Sequence, residues 1–80
     1  MKEQGEIILT VSIPGCAACM DRIENLLMRM GCWEKVSFGY PTECGTAVYM
    51  FYDKNNKEID YRRKAKEARE ILEGSRYYVI

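Results

Sequence analysis

Ile13-Pro14-Gly15-Cys16-Ala17-Ala18-Cys19-Met20-Asp21 lies where one periodicity gives way to another, and that change decides the fold. Upstream, Ile7, Leu9, Val11 and Ile13 alternate with Ile8, Thr10 and Ser12, the period-two pattern of a strand with one strongly apolar face. Downstream, between Ala17 and Met30, Ile23, Leu26, Leu27 and Met30 recur at helical spacing. Asp21, Arg22, Glu24, Asn25 and Arg29 take the other side of that helix. Pro14-Gly15 ends the strand, and Gly31 is placed to stop the helix as its C′ residue. The two cysteines straddle the junction, one on the entering loop and one in the first helical turn, so both sulfurs can address one point. A helix N-terminus presents unpaired N–H groups and the positive end of the dipole, which favours thiolate over thiol. Such a pair binds a soft metal ion or cycles through a disulfide.

Working outward, Val36, Phe38 and Tyr40 alternate with Lys35, Ser37 and Gly39 as a second strand. Pro41-Thr42-Glu43-Cys44-Gly45 supplies a turn, and a third strand runs from Thr46 to about Asp53. After the polar turn Lys54–Lys57, Asp60 is a good N-cap for a helix with Tyr61, Ala65, Ala68, Ile71 and Leu72 on one face. Gly74-Ser75 breaks that helix, and Tyr77–Ile80 forms a short last strand. The order βαββαβ predicts an α+β, ferredoxin-like sandwich over residues 1–80, a four-stranded antiparallel sheet with two helices on one face. In that topology Pro14–Cys19, Pro41–Gly45 and Gly74–Tyr77 share one pole.

The bulk numbers narrow the function classes. Eighty residues make one small domain, and 48% hydrophobic with 30% charged residues is globular, not disordered. Twelve basic and twelve acidic side chains cancel, leaving no excess of positive charge for a phosphate backbone, so nucleic acid is not an expected partner. No apolar run is long enough to span a bilayer, and the polar start Met1–Glu6 is not a signal peptide; a reducing cytoplasm is the expected location. Four cysteines there point to metal, redox or core roles before a disulfide framework. The absence of histidine excludes mixed Cys/His zinc sites and Cys–His nucleophiles.

With Cys16-Ala17-Ala18-Cys19 between strand and helix, Ile23-Glu24 and Leu26-Leu27 in that helix, Gly31-Cys32, Tyr52-Asp53 and Tyr77-Tyr78-Val79, the whole chain resembles the heavy-metal-associated domain family. That family comprises copper chaperones, N-terminal domains of metal-transporting P-type ATPases and mercury-binding proteins. The resemblance implies no enzymatic activity. It implies carriage of a soft ion held between Cys16 and Cys19, Cu(I) first, with Zn(II), Cd(II) and Hg(II) as alternatives. Hand-over would go to a metal-transporting ATPase or another CxxC protein, and the carrier would be a monomer or a metal-bridged dimer. In the family's Gly-Met-x-Cys-x-x-Cys the methionine tucks under the loop. Here Pro14-Gly15 precede Cys16, so either Ile13 takes over as the plug or the loop is shaped differently.

Three further residues at the shared pole are candidate auxiliaries. Cys44 could add a third sulfur, although its hairpin would have to fold over from an edge strand. Arg76 could balance the negative charge of a bis-thiolate Cu(I) site, and Tyr77 could shield it. Cys32, about 20 Å away at the far end of the first helix, reads as a small buried residue beside Trp33. If Val48, Met50 and Tyr52 face the helices, Tyr49 and Phe51 stand on the open sheet face, as in RNA-recognition modules. The first strand offers them no aromatic partner, so cross-strand packing or a protein surface is the expected role. The basic run Arg62–Lys66 reads as a solvated face paired with Glu67, Glu70 and Glu73. The rival functions are a thiol–disulfide oxidoreductase using the same CxxC, and an interaction domain whose cysteines do nothing.

Overall fold

The computed structural model describes residues 3–12 and 17–80; the readings placed on Ile13, Pro14, Gly15 and Cys16 lie outside the described residues. The elements run β1 (Gln4–Ser12), α1 (Ala17–Met28), β2 (Lys35–Phe38), β3 (Thr46–Asp53), α2 (Tyr61–Gly74) and β4 (Tyr78–Val79). The four strands form one antiparallel sheet in the order β2-β3-β1-β4, an arrangement compatible with a ferredoxin-like fold.

Alternation along the strands sorts the sheet into two faces. Ile7, Leu9 and Val11 pair with Met50, Val48 and Thr46, while Val36 and Phe38 of β2 pair with Met50 and Val48. That face joins Ile23 and Leu27 of α1 and Tyr61, Ala68 and Leu72 of α2 in one buried cluster. Trp33 completes it between α1 and β2. Its ring meets Tyr52 edge-on at 6.4 Å and Tyr61 at 5.9 Å, Tyr52 and Tyr61 stack at 4.2 Å, and its indole N–H donates to Met30 Sδ at 3.3 Å. Gly5 is needed on β1 because the Tyr52 ring lies where a Cβ would stand.

Several element ends depart from the pattern, each for a local reason. Helix α1 stops at Met28 rather than Met30, because Met30 N and Gly31 N turn to the carbonyls of Leu27 and Met28 as the last turn tightens. Gly31 then takes φ 74°, as expected of a C′ glycine. Strand β2 ends at Phe38, so Tyr40 is not part of it and stands 94% exposed; Gly39 N makes one more bond to Ala47 O before Pro41, which has no N–H to give. Strand β1 begins three residues before Ile7, since β3 pairs with it as far as the Gln4–Asp53 rung. Helix α2 ends at Gly74-Ser75 as its sequence implies: Gly74 is its last residue, Ser75 is the C-cap, and the chain reverses at Arg76, with φ 70°. The last strand is only Tyr78–Val79, because Tyr77 is used to close the α2 cap.

Candidate functional site

The pole expected from the topology is built by the sheet register. Val11, next to last in β1, pairs with Thr46 at the start of β3 on one side and with Val79 of β4 on the other. The next residue, Ser12, pairs with Tyr78. The end of β1 therefore lies between the Thr42–Gly45 turn and the Ser75–Tyr77 cap, and α1 begins five residues on from Ser12.

Cys19 is the third residue of α1, in its first turn, half-buried and packed on the core cluster, while Ala17 and Ala18 are exposed. No acidic residue stands in that turn to oppose a thiolate there. Cys16, the other half of the pair, immediately precedes α1 in the chain and lies outside the described residues.

Cys44 is an exposed free thiol on the turn before β3. Thr42 N and Gly45 N exchange bonds with each other's carbonyls at 2.9 and 3.1 Å, and the Thr42 hydroxyl donates to Gly45 O and accepts from Cys44 N. Gly45 has φ 123°, and a Cβ on it would sit 2.7 Å from Val11 O. The turn's β3 arm is thus pressed directly against β1. The turn joins the edge strand β2 to the central strand β3, so Cys44 stands beside β1 as well as at the sheet's edge-strand hairpin.

Arg76 and Tyr77 form the third part of the pole. Arg76 N donates to Glu73 O and Tyr77 N to Leu72 O, the paired bonds of a Schellman cap. Tyr77 is half-buried against the core and Arg76 is exposed. A left-handed non-glycine residue carries a conformational penalty, so arginine at this C′ position is a local cost in stability.

Cys32 is separated from this pole by the length of α1, roughly 18 Å at the helical rise of ~1.5 Å per residue. It is buried, and that burial pushes its thiol pKa up, opposed in part by Lys64. Its place is in the core beside Trp33, as the spacing implied. On the open sheet face, Tyr49 lies opposite Ile8 and Ser37, and Phe51 opposite Glu6 and Lys35. Both rings are half-buried, and Glu6 and Lys35 flank Phe51 with opposite charges, so no net positive charge gathers there for a phosphate. The basic run of α2 is a solvated face as expected, with Lys64–Glu67 at 3.1 Å and Arg69–Glu73 at 3.2 Å.

One buried polar group has no sequence signal. Thr46 is fully buried, and its Oγ1 has no hydrogen-bond partner. As the first residue of a strand it reads as an ordinary β-former, and only the register shows that it faces inward at this pole.

Among the described residues no group of three or more His, Cys, Asp or Glu is placed to hold a metal ion, and no helix is long and apolar enough to cross a membrane. The chain matches no family model, no curated protein and no solved structure.

Proposed function

We propose that the protein binds a soft metal ion, Cu(I) first, between the thiolates of Cys16 and Cys19 and passes it on by ligand exchange. The observation that carries this reading is the position of Cys19 in the first turn of α1, at a pole shared with the end of β1 and two other loops. The positive end of the helix dipole stabilises negative charge on sulfur in that turn, and no carboxylate in the turn competes with it. Cys16 belongs to the same reading through its spacing: three positions before Cys19 and directly ahead of the helix in the chain, it supplies a second sulfur to a linear S–Cu–S pair. A ferredoxin-like sandwich with both helices on one face is the architecture this reading adopts.

Carriage follows from the short ligand list. A two-coordinate ion leaves room for an incoming thiolate, so a partner's cysteines can enter before the donor's leave, and the ion need never be released to water. Arg76 at the same pole would offset the net negative charge of a bis-thiolate Cu(I) centre. Cys44, on the turn pressed against β1, is the candidate for a third sulfur or for a bridge to a second molecule.

Native mass spectrometry of the fully reduced protein with one equivalent of Cu(I) tests the stoichiometry. The expected species carries one copper per chain and disappears in a Cys16→Ser/Cys19→Ser variant. Copper retained equally by the variant would move the ion to other ligands and defeat the reading.

A further inference from the structure

We propose that Thr46 is the hydrogen-bond donor that supports the Cys19 sulfur when an ion is bound, a positioning residue beneath the metal site. This rests on the two-thiolate reading. Along β3, Thr46, Val48 and Met50 alternate onto the buried face, and each is fully buried. Along α1, Cys19, Ile23 and Leu27 descend the same core at helical spacing. Because α1 runs back from the end of β1, its first turn overlies the layer that holds the end of β1. That layer is Val11 with Thr46. Cys19 and Thr46 therefore occupy the same end of the core, one on the helix and one on the sheet.

The hydroxyl of Thr46 is out of place as core packing. A buried O–H without a partner costs free energy that valine, of nearly the same shape, would avoid. The hydroxyl is too hard a ligand for a soft ion, so its fit is to the sulfur rather than to the metal. A metal-bound thiolate keeps lone pairs, and a charge-assisted O–H···S bond would satisfy donor and acceptor together. Supporting contacts of this kind orient ligands and tune a site from outside the coordination sphere.

The test compares the wild-type chain with Thr46→Val and Thr46→Ser, using Cu(I) against a competing chelator, Cd(II) absorption spectra and urea unfolding of the metal-free protein. In Thr46→Val the urea midpoint is expected to hold or rise. Its Cu(I) dissociation constant should weaken about tenfold, the scale of one hydrogen bond to a charged group. The thiolate-to-Cd(II) band should move to longer wavelength, because a sulfur without its donor gives up charge more readily. Thr46→Ser should restore affinity and band position. A Thr46→Val variant that binds within twofold of wild type with an unshifted band overturns the inference. So does a lowered midpoint in Thr46→Val, which would mean the hydroxyl is already bonded inside the core. If the wild-type chain takes up neither ion, the two-thiolate reading falls and this inference falls with it; a binding wild type beside an indifferent Thr46→Val removes this inference alone.

Discussion

At the scale of single residues, the molecule keeps two side chains that stability alone would not select. Thr46 buries a hydroxyl with no partner, and Arg76 holds a left-handed conformation that glycine adopts without strain. Both lie at the pole where α1 begins, with Cys19 in its first turn. Replacing Arg76 with glycine should raise stability by about 0.5–1 kcal/mol, the relieved strain being partly offset by the added freedom of the unfolded chain. Urea unfolding checks this, and a loss of stability would assign the guanidinium a structural role instead. Legibility differs sharply between residues here. The first-turn place of Cys19 and the core place of Cys32 follow from spacing and residue type. The orphan at Thr46 and the φ of Arg76 arise from register and from cap geometry, neither of which a residue type announces.

At the scale of elements, the helices and the central strands were legible because their periodicities are long and unbroken. Strand β3 has the bounds its alternation implies, and Asp60 caps α2 by accepting from the N–H groups of Arg62 and Arg63 at 3.2 and 3.3 Å. Substituting Asp60 by alanine should cost about 0.5–2 kcal/mol, readable in a denaturant melt with an unchanged slope. No change in stability would mean that water replaces the cap without penalty. The ends were less legible, since they are set by bonds that cross between elements. Gly74-Ser75 does end α2, yet the left-handed reversal falls one residue further on, at Arg76, where Tyr77 N reaches back to Leu72 O. Tyr40 looked like the end of a strand, yet Pro41 removes the next donor and leaves the tyrosine in solvent.

At the scale of the whole molecule, burial of titratable groups sets the response to pH. The Cys32 thiol is pushed up by burial, and the Tyr61 phenol is pushed up by burial first and by the charges of Asp53 and Cys32 after it. Both groups lose their protons more easily in the unfolded chain than in the folded one, so above the ordinary thiol range the unfolded state binds fewer protons and stability falls as pH rises. Below that range both are protonated in either state and contribute no pH dependence. With no histidine in the chain, no side chain has an ordinary pKa between those of the carboxylates and the thiols. Thermal melts should therefore decline through the alkaline range, and a Cys32→Ala variant should lose part of that decline; a constant alkaline midpoint would contradict the burial account. The shared pole was legible from element order alone, because antiparallel pairing forces alternate loops to one end. That Cys44's turn presses on β1 was not, because it depends on Gly45 lying against the Val11 carbonyl.

The central claim is that Cys16 and Cys19 together hold a soft ion, and an anaerobic Cu(I) titration of the reduced protein against a competing chelator addresses it most directly. The account predicts one-to-one competition with the chelator, abolished in the Cys16→Ser/Cys19→Ser variant. Failure to compete, or equal competition by both proteins, would contradict it and turn attention to the disulfide chemistry of the same pair.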